Sequence, residues 1–304
     1  MMKLKVSSLD VNKRLDTFLS EQLKDFSRSY FSSLNEKGSI LVNGKKQKNG
    51  YKICENDEVL VNLIEKPEIS AEPEDIKLNI VYEDDDMLVI NKPQGLCVHP
   101  AVGNESHTLV NALMFKFNSL SNVNGKFRMG IVHRLDKDTS GLMLVAKNNK
   151  AHEILAKQIE TKTCKRKYLA LVVGSFKESC GKIERNLIRS KKNRLKYEVC
   201  GDFEGRTAIT LYKTLEVFKG YSLVEFELKT GRTHQIRVHS SFMGHPIVGD
   251  KLYGVKDNFN LNGQLLTAYN ISFLLPSNNE EKSFQIKLPN YFEEVLNKLR
   301  EKNT

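Results

Sequence analysis

The order of apolar and polar positions divides this chain into a short helical stretch at the start and a longer remainder rich in strands. From Arg14, the apolar residues Leu15, Phe18, Leu19, Leu23 and Phe26 recur at the spacing of one helix face. Ser27 offers a cap for a second helix carrying Tyr30, Phe31 and Leu34, and Gly38 ends it. Ile40-Leu41-Val42 then reads as a strand running into an Asn43-Gly44 turn, with Val59-Leu60-Val61 as a later strand. Residues 65–75 hold Pro67, Pro73 and several acids with little apolar content, which reads as an extended connection. The expected organisation is a small domain over residues 1–64, a linker over 65–75 and a large domain over 76–304.

In the large domain, Met87 to Ile90 reads as a buried strand, Thr108 to Phe117 as an amphipathic helix, Leu142 to Ala146 as a strand and Lys150 to Ile159 as a helix. Strands then dominate: Tyr168 to Val173, Ala208 to Leu215 and Ser222 to Leu228, with Lys219-Gly220 turning between the last two. Leu266 to Leu274 and Phe284 to Leu288 add two more, and Tyr291 to Leu299 closes as a helix. Runs of strands with interspersed helices imply an α+β domain around a largely antiparallel central sheet with flanking helices.

Composition narrows the function classes. A 304-residue chain with 40% hydrophobic residues can bury a full core in one large and one small domain. Its net charge of +10 points to a polyanionic partner, and nucleic acid is favoured because no stretch has the length of a membrane-spanning helix. Met1-Met2-Lys3-Leu4-Lys5 leads into Ser7-Ser8-Leu9-Asp10 rather than an apolar signal region, so a cytoplasmic location is expected. Cys54, Cys97, Cys164, Cys180 and Cys200 are scattered, odd in number and without a Cys-x-x-Cys pair, and read as reduced thiols.

Three blocks carry candidate chemistry. The first, His133-Arg134-Leu135-Asp136-Lys137-Asp138-Thr139-Ser140-Gly141, sets acids beside an arginine in a polar turn that feeds the apolar run Leu142 to Ala146. Spacing alone does not choose between Asp136 and Asp138. The second places Lys165-Arg166-Lys167 before Tyr168 at the head of a strand, and the third runs Leu228-Lys229-Thr230-Gly231-Arg232-Thr233-His234-Gln235-Ile236-Arg237-Val238-His239. His133, His234, His239 and His245 suggest no metal centre, because no His-Glu-x-x-His pattern occurs and the cysteines are unpaired. His-Arg-Leu-Asp also differs from the kinase order, and no glycine-rich phosphate loop is present.

These blocks, in this order over residues 80–250, resemble the RluA-type RNA pseudouridine synthases, and the features of residues 12–63 resemble the S4 RNA-binding module. The resemblance implies a pseudouridine synthase fold, no cofactor or metal, RNA as partner, no membrane, and a chain that acts as a monomer. It assigns the catalytic carboxylate to Asp136, its ion-pair partner to Arg237, a platform for the target base to Tyr168, and the space vacated by the flipped uridine to Arg134. It leaves open whether the carboxylate attacks C1′, attacks C6 or removes a ribose proton. Expected RNA contacts are Arg14, Ser27, Arg28, Asn43 and Lys45 in the small domain and Lys192, Arg194 and Lys196 in the basic run between Arg185 and Arg206. His99-Pro100 through Leu113 and Gly130-Ile131-Val132 look most like the branch acting on large-subunit ribosomal RNA. One departure is Gln264-Leu265-Leu266-Thr267-Ala268, where the family commonly has Arg-x-x-Leu-His-Ala.

Overall fold

The computed structural model describes all residues except 1, 24, 25, 27, 64–71, 102, 103, 126, 127, 257, 258, 303 and 304. The chain divides into two compact units, Met1–Glu68 and Ile69–Thr304.

In the first unit, α1 (Leu15–Gln22) and α2 (Arg28–Glu36) pack on a three-stranded antiparallel sheet of β1 (Met2–Lys5), β3 (Glu58–Val61) and β2 (Ile40–Val42), in the order β1-β3-β2. The apolar face read from the sequence supplies its core: Leu15, Phe18, Leu19, Phe31 and Leu34 close over Ile40, Val42, Val59 and Val61. α1 ends at Gln22, earlier than the apolar spacing implied, so Leu23 and Phe26 pack against this core from outside the helix. Asn43 and Gly44 both take positive φ, 49° and 74°, as the tight turn after β2 requires.

The second unit is built on a ten-stranded sheet among the described residues. Its path is β4 (Ile80–Glu83), β5 (Met87–Lys92), β6 (Ser140–Ala146), β12 (Leu266–Leu274), β7 (Lys165–Val173), β11 (Tyr221–Leu228), β10 (Arg206–Phe218), β8 (Cys180–Arg189) and β9 (Tyr197–Cys200), while β13 (Glu281–Gln285) pairs β12. Among the named strands of this sheet only β6 and β12 run parallel; the other strand pairs are antiparallel. The helices are α3 (Leu109–Lys116), α4 (Asn149–Glu160), α5 (Gln235–Phe242) and α6 (Asn290–Glu301). α3 opens on a reciprocal cap, in which the Thr108 side chain accepts from Asn111 N–H and the Asn111 side chain accepts from Thr108 N–H. Asn148 caps α4 in the same sense through Ala151 N–H.

β7, β11 and β12 run down the middle of the sheet and bury Tyr168, Ala170, Val172, Val224, Phe226, Leu266 and Ala268 on one face, beneath α3 and the loop that enters β6. On the opposite side, α4 lies over β6 and β12 with Leu155 and Ala151 against Leu144 and Phe273. Two expectations shift. The strand placed at Phe284 to Leu288 lies at Glu281–Gln285, because Phe284 pairs with Ile271 and fixes the register. The end of the supposed linker is not an open tether: Asn111 Nδ2 donates to Glu72 O at 2.7 Å, and Glu74 N donates to Asn111 O at 3.0 Å.

Candidate active site

Asp136 sits in the loop that enters β6, and this loop is pinned from several sides. Leu135 is sunk into the core, Thr139 N donates to Asp136 O at 3.1 Å to close a turn, and Leu144 N donates to His133 Nε2 at 3.0 Å. Beneath it, the fully buried Lys92 donates from Nζ to the carbonyls of Pro93, Leu96 and Lys137 at 2.8, 2.9 and 2.9 Å. Burial pulls the Lys92 ammonium down to about 8, while the nearby acids Asp138 and Asp136 act the other way. Gln264 completes the support: its Nε2 donates to Thr139 Oγ1 at 3.0 Å and its carbonyl accepts from Gln94. The departure noted near the C-terminus therefore lies directly against the Asp136 turn.

Arg237, on the first turn of α5, faces two carboxylates. Its Nη1 donates to Asp136 Oδ2 at 2.9 Å, while Nε and Nη2 grip Asp250 Oδ2 and Oδ1 at 2.7 and 2.9 Å. Asp250 Oδ1 also accepts from the backbone N–H groups of Leu252 and Tyr253. Burial alone would raise the Asp250 carboxyl, but the Arg237 hydrogen bonds and charge, with these two N–H groups, hold it below the usual carboxylate range. The same carboxylates keep Arg237 firmly charged against the pull of burial. The guanidinium rests 5.1 Å from the centre of the Tyr253 ring, which leaves it one sharp orientation.

His234 approaches the other oxygen of Asp136, with Nε2 3.9 Å from Oδ1. Burial lowers its pKa, and the ring stays neutral near pH 7 although Asp136 pulls the other way. Its Nδ1 lies 2.9 Å from Tyr253 OH, and that hydroxyl accepts from Tyr197 N–H at 2.7 Å. With the Tyr197 N–H on the phenol oxygen, the phenol proton goes to Nδ1, which places the ring proton on Nε2, facing Asp136.

Tyr168 lies in the middle of β7, opposite Phe226 of β11 and Ala268 of β12, and is almost wholly buried. Burial raises its phenol, with Asp136 adding in the same direction, so the hydroxyl stays protonated. Together with Asp136 it lines two adjoining cavities of about 50 and 530 Å³, and Asp136 also borders a third of about 300 Å³ lined by Cys97, His99, Lys251 and Gln264. Exposed Arg134 borders all three. Asp138 makes no ion pair with Arg237 and lines only the third cavity. Asp136, Arg237, Tyr168 and Arg134 are thus brought together around connected space.

The expected RNA contacts fall elsewhere. In the first unit Arg14 and Arg28 both donate to buried Asp16, at 3.0 and 3.1 Å from Arg14 and 3.1 Å from Arg28, and project from that shared anchor. Lys45 is exposed. Asn43 is engaged within the fold: its Nδ2 donates to Asp57 Oδ1 and its Oδ1 accepts from Glu58 N–H, so its amide holds the turn to β3. Ser27 lies outside the described residues. Lys192 and Arg194 occupy the β8–β9 turn, and Lys196 stands 5.7 Å over the Tyr253 ring.

Asp250, Tyr253, Lys92 and the placement of His234 escaped the sequence reading. The signal available for Asp250 was the strand-to-turn pattern Ile247-Val248-Gly249-Asp250, the same kind of setting that drew attention to Asp136. The four tempting histidines bind no common point: His133, His234, His239 and His245 pair with Leu144, Tyr253, Thr210 and Val173 respectively. Among the described residues no His, Cys, Asp and Glu cluster could hold a metal, no helix is long and apolar enough to cross a membrane, and all five cysteines are free.

The family described as RNA pseudouridylate synthase matches residues 86–242, and the S4 domain matches residues 13–59. A Bacillus subtilis (strain 168) protein, "Uncharacterized RNA pseudouridine synthase YlyB", is 43% identical over 289 residues, covering 95% of each chain. "Ribosomal large subunit pseudouridine synthase D" of Neisseria meningitidis serogroup B is 42% identical over 299 residues, covering 94% of this chain and 79% of its own. Among solved structures, "Human RNA Pseudouridylate Synthase Domain Containing 1" superposes with a TM-score of 0.56 at 25% identity, over 76% of this chain and 96% of that one. The chain therefore belongs to the RluA-type family of RNA pseudouridine synthases, isomerases, and carries an S4 domain ahead of its catalytic domain.

Proposed function

We propose that this enzyme isomerises selected uridines of large-subunit ribosomal RNA, with Asp136 as the catalytic carboxylate. One observation supports the assignment above all: Arg237 Nη1 lies 2.9 Å from Asp136 Oδ2, and both residues line a cavity together with Tyr168. The reaction breaks the bond from N1 to C1′, turns the base and joins C5 to C1′; the C5 proton leaves and N1 gains one, so no redox partner enters. The departing uracil delocalises its own charge, so one carboxylate suffices where a glycosidase needs two. The guanidinium, 2.9 Å from one oxygen, holds and orients that carboxylate for attack at C1′ or C6 or for removal of a ribose proton.

Tyr168 presents an aromatic face to the detached base while it turns, and Arg134, at the mouth of all three cavities, fills the stack that the uridine leaves. Arg14, Arg28 and Lys45 of the S4 domain, with Lys192, Arg194 and Lys196 of the β8–β9 turn, contact the phosphate backbone. The large-subunit substrate is favoured because similar proteins from Neisseria meningitidis and Xanthomonas campestris carry that substrate in their names. Asp136→Asn is expected to abolish pseudouridine formation while RNA affinity changes little. Mapping pseudouridine in total RNA from cells with and without the gene tests the substrate: loss from large-subunit RNA supports this reading, and loss confined to transfer RNA overturns it.

A further inference from the structure

The loop Gly231–Thr233 lines two cavities: the one that contains Asp136 and Tyr168, and a second of about 440 Å³ bounded by the strand ends of β8, β9 and β10. In the second, Arg189 stands opposite Tyr197 across β8 and β9, and Arg206 stands opposite Leu187 across β10 and β8. Because strand side chains alternate, these residues share one face, and Arg232 of the loop closes over it. Arg232 also borders both cavities that hold Tyr168.

Three arginines line this cleft, and no carboxylate does so among the described residues. Among the described residues two of them are held through one nitrogen: Arg189 Nε donates to Arg194 O at 2.6 Å and Arg232 Nε donates to Thr207 O at 3.0 Å. That restraint fixes each side chain and leaves its paired terminal nitrogens for a ligand. None of the three forms a salt bridge with the described residues, although the chain has acids enough to supply partners. Like charges gathered without a counter-ion repel one another, and the arrangement is stabilised when an anion enters. Tyr197 adds a planar apolar face, half-buried and packed edge-on against His234, 5.8 Å between ring centres. Forked donors for phosphate oxygens beside an aromatic ring for a base form the recognition chemistry of a single-stranded nucleotide. The cleft's volume lies within the range of about 300–1,000 Å³ typical of small-ligand sites.

We propose that this cleft is a second nucleotide site, which takes the phosphodiester and base of an RNA residue flanking the uridine bound over Tyr168. The assignment of the flanking position rests on the reading of the Asp136 cavity given above; the cleft's affinity for nucleotides does not. Tyr197 N–H is the group that holds Tyr253 OH, so the strand that grips the flanking nucleotide also orders the His234 ring beside Asp136.

The test uses the full-length protein and a fluorescein-labelled oligouridylate dodecamer, with binding followed by anisotropy across a salt series. The Arg189→Gln/Arg206→Gln variant should lower the slope of log affinity against log salt by about 1.4, at roughly 0.7 per single-strand phosphate contact. Tyr197→Leu should weaken binding by about fivefold or more with the slope unchanged, and Tyr197→Phe should bind as the wild type does. With transcribed ribosomal RNA, the double variant should raise KM and leave kcat unchanged. Wild-type affinity and slope in the double variant, at an unaltered unfolding midpoint, overturn the proposal. A wild-type enzyme that converts no uridine refutes the Asp136 reading instead, and the oligouridylate result still decides the cleft.

Discussion

Arg237 carries one positive charge between two carboxylates and divides its donors unequally. Asp250 receives two of them together with two backbone N–H groups, whereas Asp136 receives one, and its other oxygen lies 3.9 Å from His234 Nε2. Asp250 thus aims the guanidinium, and Asp136 remains available to a substrate. Replacing Asp250 with Asn leaves Arg237 buried with half its neutralisation gone; breaking such a pair costs about 3–5 kcal/mol. A guanidinium displaced by about 1 Å would lower kcat on the order of 100-fold. Urea unfolding and single-turnover assays check the two expectations, and unchanged values in both would remove Asp250 from the site. A pH series adds a third readout: a carboxyl depressed by folding contributes stability that is complete above the ordinary value of about 4. That contribution is lost as the pH falls through the lower folded value, so the variant should lack it. At this scale Asp136, Tyr168 and Arg237 came forward as candidates through the family resemblance of their blocks, since spacing alone did not separate Asp136 from Asp138. Asp250 and Lys92 did not stand out, because Gly-Asp-Lys and Asn-Lys-Pro are ordinary turn compositions and their importance lies in what they touch across the fold.

Many of the elements that were legible have one wet face and one dry face, while β5 and β6, buried on both faces, were legible as unbroken apolar runs. The helices α4 and α6 and the hairpin of β10 and β11 follow the periodicity closely, since solvent on one side imposes polar residues at regular intervals. α5 has no such face: Gln235 to Ser240 are all buried, and their alternating polar and apolar letters hide the helix. β8 and β9 were missed for other reasons: Lys182, Glu184, Arg185 and Arg189 mask the apolar positions of β8, and β9, at the sheet edge, is only four residues long. The pairing that matters most for the site is the short parallel contact of β6 with β12, Ser140 opposite Thr267 and Gly141 opposite Ala268. Gly141 has φ of 115°, and a side chain there would press into the Ala268 backbone. Gly141→Ala therefore combines strain with overpacking and is expected to destabilise the enzyme by about 2–5 kcal/mol. Because the Asp136 turn leads straight into this strand, the folded fraction of the variant should also bind Asp136-dependent substrate poorly. A wild-type denaturation midpoint would show that β6 and β12 tolerate separation.

For the molecule as a whole, pH acts through buried histidines as well as acids, and hydrogen-bond direction identifies which. His133 Nε2 accepts from Leu144 N–H, so a proton on that nitrogen would meet another proton. His239 lies between Thr210 Oγ1 at 2.9 Å and the Arg185 carbonyl at 3.4 Å; Gln235 Nε2 already donates to that hydroxyl, which therefore donates to Nδ1. Both rings are consequently built in as neutral bases. Burial drives His133 down to about 3, with Arg166 adding to the effect, and drives His239 down to about 4. The unfolded chain binds a proton at each near pH 6.5, whereas the native state refuses it until far lower. The unfolded state thus holds more protons in this window, and stability falls as pH falls. Each histidine adds up to about 1.4 kcal/mol per pH unit between about pH 6.5 and its folded value. The enzyme is expected to lose stability steeply between about pH 6 and 4, and activity lost in that range should track unfolding measured by circular dichroism. His239→Asn, which cannot titrate, should lower the slope of unfolding free energy against pH by up to about 1.4 kcal/mol per pH unit, and His133, His234 and His152 retain the rest. A variant slope equal to that of the wild type would show that His239 does not carry the acid limb.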